Sequence, residues 1–228
     1  MLKRLRKALL YFLLGVFTGI LISRKPEALA LKVNMSLLKR EMLKQWGEER
    51  ANSVIAAFRE YYEELPEDDV EMKGVMKYHL EIARQGLALY RALSDELGRG
   101  EDPVEVTHQL MWDIYMKKPS QVMGSVMANA RDPFDGFAQG LVWTNAHVFP
   151  EPYWRRTYVD MEDGVGMDYT GCFYYDYFKS KGVPELTRAY CEMDIRQAEC
   201  FPPQIEFVRK KTLPTGYDKC DFRYYKRR

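Results

Sequence analysis

The sequence predicts an α+β fold: an N-terminal helical half packed on a small antiparallel β-sheet, preceded by an N-terminal hydrophobic helix. Three observations predict it. Apolar residues recur at three- and four-residue steps from about residue 31 to 148, the period of helices with one buried face. From Tyr153 onward the period becomes two, and turn residues separate the runs. Residues 8–23 carry no charge and lie between Lys7 and Arg24.

The chain has 228 residues, 46% of them hydrophobic and 14% aromatic, enough to build a core and too many for a disordered chain. The net charge of +1 is unevenly spread: Lys3, Arg4, Arg6, Lys7, Arg24 and Lys25 precede the first acid, so the remainder of the chain is mildly acidic. An acidic body argues against nucleic acid as a partner, because phosphate binding needs a basic face. The expected organisation is an anchor over 1–25 and a single α+β domain over 26–228. As a helix, residues 8–23 would span about 24 Å against a hydrocarbon core of about 30 Å; Lys7 and Arg24 can snorkel to make up the rest. A membrane anchor, single-pass or partly inserted, is the first reading. A cleaved secretory signal, with Ala28-Leu29-Ala30 as its small-residue site, and a helix buried in the domain are the alternatives. Gly15 and Gly19 could pair two anchors, which leaves a homo-oligomer open.

The elements follow in order. Leu37, Leu38, Met42 and Trp46, then Val54, Ile55, Phe58 and Tyr61, predict helix over 31–65, with Gly47 dividing it. The next helix is expected from about Val70 to Leu97, ended by Gly98-Arg99-Gly100. Asp102-Pro103 reads as a cap with proline in the first turn of a short helix to Lys117. Pro119-Ser120 is expected to restart a helix, and Asp132-Pro133 to cap another that reaches Val148 before Pro150 and Pro152 stop it. A hairpin turned at Asp163-Gly164 then delivers Cys172 to a helix that Gly182 ends. Helix is expected over 185–198, and a second hairpin over 205–212 and 218–225, with a solvated tail from Tyr224 to Arg228.

All four cysteines, Cys172, Cys191, Cys200 and Cys220, fall in the last third of the chain. Two disulfides in any of three pairings are formally open. A domain of this size does not need such staples, so free thiols in a reducing compartment are expected. Cys172 stands where a strand enters a helix, and unpaired first-turn N–H groups there favour a thiolate; its plain alternative is a small residue filling a tight junction. Cys191 and Asp194 are three apart and share a helix face, so they could act as an acid–base pair or as two ligands. Cys220 and Asp221 are adjacent on a strand and point to opposite faces. No Cys-x-x-Cys is present, so the zinc signature is missing. No cofactor is expected, although a metal held by these Cys and Asp side chains remains open. His79, His108 and His147 have no partner at ligand spacing and read as ordinary core or surface histidines.

Several features occur together in a fixed order: Cys172 entering a helix, the Gly182 to Leu186 turn, the Cys191-to-Asp194 step, Phe207-Val208-Arg209, the Thr212 to Gly216 turn and the closing Cys220-Asp221-Phe222. In this order the segment resembles the family of L-2-amino-thiazoline-4-carboxylic acid hydrolases, closely over about 150–223 and loosely before it. The resemblance implies a small-molecule substrate: water would attack the amidine-like C2 of a 2-aminothiazoline ring and open it to N-carbamoyl cysteine. Cys172, Asp194, Cys220, Asp221 and Cys191 are the catalytic candidates, with Asp194 or Asp221 as base and Cys172 as nucleophile or proton donor. Cys172, Asp194 and Cys220 are expected to meet in one pocket, with Cys191 and Asp221 beside it. The competing readings are a non-hydrolytic small-molecule or metal-binding relative tethered to a membrane, and a tethered interaction protein using the helices at 31–97.

Overall fold

The computed structural model describes residues 27–66 and 72–227. The expected anchor over 8–23 lies outside the described residues, and among those described no helix is long and apolar enough to cross a membrane. The chain forms two compact units that divide after Lys117, and the fold is α+β, with helices first and a four-stranded antiparallel sheet after them.

The first unit is helical. Helix α1 (Glu27–Trp46) buries Leu38 and Met42. Gly47 adopts φ +82, a left-handed conformation that suits glycine, and breaks the run before α2 (Glu48–Glu64). Helix α2 buries Ala51, Val54 and Phe58, at three- and four-residue steps. Helix α3 (Val75–Glu96) packs on α2 and buries Ala83 and Leu87, among others. A polar chain links these helices: Asn34 donates to Gln85 at 2.8 Å, while Gln85 and Tyr62 both donate to Glu81, at 2.6 and 2.7 Å. Helix α4 (Pro103–Met111) starts as expected, with the Asp102 carboxylate accepting the Val104 N–H at 2.9 Å.

The expected restart at Pro119 does not occur. The backbone passes from α4 through a π-helical turn, Trp112–Met116, into α5 (Lys117–Ala128), and Pro119 lies inside that helix. A helical proline lacks its own N–H and crowds the carbonyl four residues back, here that of Tyr115. The π turn, in which the Lys117 N–H reaches Trp112 O five residues back, falls where that crowding arises and removes the need for a break.

In the second unit α6 (Pro133–His147) is capped by Asp132, whose carboxylate accepts the Asp135 N–H at 3.0 Å. The strands are β1 (Arg156–Val159), β2 (Gly164–Tyr169), β3 (Ile205–Val208) and β4 (Cys220–Lys226), in the order β1-β2-β4-β3. Between β2 and β3 run α7 (Phe173–Ser180), a 3-10 turn at Pro184–Leu186 and α8 (Thr187–Ala198). One sheet face carries Met167 on β2, Ile205 and Phe207 on β3, and Phe222 and Tyr224 on β4; Phe134, Phe137 and Leu141 of α6 pack against it. Each fully buried ring or branched side chain there contributes about 1.5–3 kcal/mol. The Arg156 guanidinium closes the far end of α6, donating to the carbonyls of Asn145 at 2.7 Å and Phe149 at 2.6 Å. The expected solvated tail is corrected: β4 continues to Lys226, and Tyr224 is only 7% exposed, because β4 is an inner strand paired on both sides.

Candidate functional site

The topology explains why residues far apart in sequence meet. Strand β4 lies against β2 in a register that sets Cys220 opposite Tyr169, three residues before Cys172. Cys172 is the extended residue that caps α7. Helix α8 carries Cys191 and Asp194 on one face, and Arg209, just past β3, reaches both: its Nη1 donates to Asp194 Oδ2 at 2.8 Å and its Nη2 to the Cys191 carbonyl at 2.9 Å. Cys172, Cys191, Cys220 and Asp194 lie near enough to feel one another's charge. The structure therefore groups four of the five candidate residues.

It sends the fifth elsewhere. Alternation along β4 turns Asp221 away from Cys220, and its Oδ1 accepts the backbone N–H groups of Lys210 and Lys211, at 2.8 and 2.5 Å. That carboxylate holds the turn between β3 and β4. Cys200 is also apart: its carbonyl backs onto α5 so closely that a Cβ at Gly124 would stand 1.8 Å from the oxygen. All four cysteines are free thiols. Among the described residues no three His, Cys, Asp or Glu side chains are grouped so as to hold a metal ion. His147 sits on α6 stacked on Trp143 at 4.6 Å, while His79 and His108 are buried in the helical unit.

The thiols are held neutral. Burial pushes Cys172 up to about 12, outweighing the first-turn N–H groups of Tyr175 and Tyr174, which favour the thiolate. Burial likewise raises Cys191 well above its ordinary value, and it raises Cys220, whose sulfur accepts the Leu213 N–H at 3.2 Å. Asp194 differs. Desolvation raises its carboxyl to about 6, and Arg209 opposes the rise. Forty per cent of the Asp194 side chain is nevertheless open to solvent, and Cys172 and Cys191 are also partly open. These groups are thus both crowded by protein and within reach of solvent. Arg209 itself is 3% exposed and lies over the rings of Phe222 and Phe207, at 5.2 and 5.9 Å. Its own burial works against its charge, but Asp194 beside it more than restores it.

Sequence reasoning missed Arg209 as a member of the site, along with Tyr169 and Asn145. Tyr169 donates to Asn145 Oδ1 at 2.6 Å, and Asn145 donates to Met167 Sδ at 2.9 Å, which fixes the ring under α6. Burial raises the Tyr169 hydroxyl above its ordinary value, and the nearby Asp194 charge adds to the rise. The available signal for Arg209 was its two-residue step from Phe207, which puts a cation on the apolar face of the sheet. Thr187, one helical turn before Cys191, contributes a buried hydroxyl with no hydrogen-bond partner among the described residues.

Among the solved structures that match the chain weakly are two H-NOX proteins. An unliganded Fe(II) H-NOX protein from K. algicida is 12% identical, covers 86% of this chain and 96% of its own, and gives a TM-score of 0.44. An H-NOX protein from S. oneidensis in the Fe(II)NO state is 13% identical, covers 85% and 97%, and scores 0.37. Likeness at that level carries nothing further. No curated protein gives a significant match. The family model for L-2-amino-thiazoline-4-carboxylic acid hydrolase matches residues 76–224, well over half of the chain and all of the residues just described, and the chain belongs to that family.

Proposed function

We propose that this chain hydrolyses a cyclic amidine of the 2-aminothiazoline-4-carboxylate type, with Asp194 as the general base. The observation that carries the reading is the state of that carboxyl. It is raised to about 6, partly open to solvent, and held through Oδ2 by Arg209, while Oδ1 accepts no hydrogen bond among the described residues. A base with a pKa just below neutrality is both deprotonated and basic enough to take a proton from water. Water loses a proton to Asp194 and adds to C2 of the ring. The proton held by Asp194 passes to the ring nitrogen; as the C2–OH becomes a carbonyl its proton passes to Asp194, the C2–S bond breaks and the departing sulfur is protonated, which gives N-carbamoyl cysteine. A neutral thiol can protonate the sulfur and recover its proton from Asp194, and Cys172, raised to about 12, is a neutral thiol rather than a standing thiolate. Cys172 is therefore the donor in this scheme and not the nucleophile.

Cys191 lies beside the pair, and its carbonyl helps to hold Arg209. Cys220 is buried near Cys172, close enough for its charge to act on that thiol. The uncharged segment over 8–23 would hold this activity at a membrane. The test is to incubate the full chain with the 2-aminothiazoline acid and follow N-carbamoyl cysteine chromatographically. Turnover that rises with pH through about 6 is expected. Tight binding of the ring with no product would replace this reading with that of a non-hydrolytic, small-molecule-binding relative.

A further inference from the structure

Helix α1 has two apolar stripes where a helix on the surface of a globular unit has one. Met35, Leu38 and Met42 form the buried stripe. On the opposite side Val33 is 44% exposed and Leu43 38% exposed, with Leu37 half-buried between them. Around these stand Lys32, Lys39, Arg40 and Lys44, all exposed. The nearby acid, Glu41, has 18% of its side chain exposed and is paired with Lys44 at 2.7 Å. Glu48 and Glu49 follow only after the break at Gly47. At 100° per residue, Lys32, Val33, Ser36, Leu37, Arg40, Leu43 and Lys44 fall within a single stripe.

We propose that this face of α1 lies on an anionic lipid surface. Lys32, Arg40 and Lys44 meet the headgroup charges, and Val33, Leu37 and Leu43 enter the boundary with the acyl chains. Two arguments select a lipid surface over a protein. The face is basic and apolar together, the pairing that interfacial helices use. In sequence, only Arg24, Lys25 and Pro26 separate the uncharged residues 8–23 from the start of the helix. A chain attached there carries α1 to the bilayer surface. The proposal does not rest on the hydrolase reading and can fail or stand without it.

The test uses the full chain with Val33→Trp, in vesicles of phosphatidylcholine and phosphatidylserine that include lipid brominated near the top of the acyl chain. The added emission is read as the difference from the wild-type chain. A ring about 5–10 Å into the headgroup boundary should lose roughly half of that emission or more. Combining Lys32→Glu, Arg40→Glu and Lys44→Glu in the same chain should abolish the quenching, with an unchanged melting curve to show that the fold is kept. Each basic residue near an anionic surface is worth about fivefold in affinity, so the triple change lowers surface binding by at least about 100-fold. No bromine quenching while aqueous acrylamide still reaches the ring would overturn the proposal. So would shielding from acrylamide in the absence of lipid, which would mean that another part of the chain or a second copy covers the face.

Discussion

Two aspartates of the same sheet unit have the same kind of partner and opposite acidities. On the outer face Asp168 accepts from Arg223 at 2.6 Å and Lys219 at 2.5 Å. On the inner side Asp194 accepts from Arg209 at 2.8 Å. Burial raises Asp168, but the two cations outweigh it and hold the carboxyl below its usual range. Burial raises Asp194 to about 6, and one cation fails to cancel it. Exposed area alone would order them wrongly, because the Asp168 side chain is 17% exposed and that of Asp194 40%. What separates the two is the number of donors set against the crowding around the carboxyl. An ion pair at Asp168 makes a fixed charge that ties β2 to β4. The single pair at Asp194 leaves a group that titrates near neutral pH, and such a group can do chemistry.

The largest expected effect breaks the comparison outright. Asp194→Asn should cost turnover of the 2-aminothiazoline acid about 100- to 10,000-fold, the usual worth of a general base. Asp168→Asn should leave turnover as it is and lower the melting temperature instead, through loss of charged hydrogen bonds worth about 1–3 kcal/mol in total. The check is kcat/KM for both variants beside their thermal melts. If Asp168→Asn is the variant that loses activity, the outer face carries the chemistry and the assignment is reversed.

Arg209 sharpens the same contrast. Its guanidinium opposes the rise at Asp194, so Arg209→Gln should push the Asp194 carboxyl further up and move the lower limb of the pH–rate profile upward from about 6. Arg209→Lys keeps the charge but cannot hold both Asp194 and the Cys191 carbonyl in one fork, so its limb should fall between the two. A carbon-13 signal from the Asp194 carboxyl, titrated without substrate, would give the same order independently of turnover. An unmoved titration in Arg209→Gln would mean that crowding alone sets the value.

How legible these parts were in the sequence follows from how local their causes are. Asp102 and Asp132 cap helices through N–H groups two and three residues on, and Gly47 acts through its own φ, so each was readable in place. The opposite facing of Cys220 and Asp221 was readable too, since strand alternation needs no partner. Arg209 was not: its role depends on α8 folding back across 15 residues to bring Asp194 to it. Tyr224 was misjudged for a related reason. The expected strand over 218–225 already reached Tyr224, but only the pairing of β4 with both β2 and β3 makes it an inner strand, and local alternation does not show that. The raised Asp194 carboxyl is further still from the sequence, because it depends on crowding that exists only once the chain has folded.

A smaller effect concerns the thiols. With Cys172 raised to about 12 and the others raised by burial, alkylation by iodoacetamide should be slow at pH 7 for Cys172, Cys191 and Cys220. Cys172→Ser should keep the fold and lose less turnover than Asp194→Asn, since a hydroxyl can replace a neutral thiol as a proton donor. Mass spectrometry of the alkylated peptides reads the first, and kcat the second. Rapid labelling of Cys172 at neutral pH would restore it as a nucleophile.

The smallest effect is on stability, and its sign differs between the two aspartates. Asp194 has a folded value of about 6 against an ordinary 3.8, so the folded state binds its proton more tightly than the unfolded chain does. Its protonated form therefore supports folding fully below about 3.8, and that support is lost as pH rises through about 6. Asp168 is shifted the other way: its support is present above the ordinary value and lost as pH falls through its lowered one. Between pH 4 and 7 the urea midpoint of the wild-type chain should thus fall relative to that of Asp194→Asn, whose amide cannot ionise, while the gap between wild type and Asp168→Asn should stay level. Because Asp194 is 40% open, solvent screens much of the shift, and the slope should be well short of what a fully buried carboxyl would give. Parallel curves for wild type and Asp194→Asn across that window would mean that Asp194 titrates at its ordinary value when folded. The contrast between the two faces of the sheet would then reduce to one of exposure.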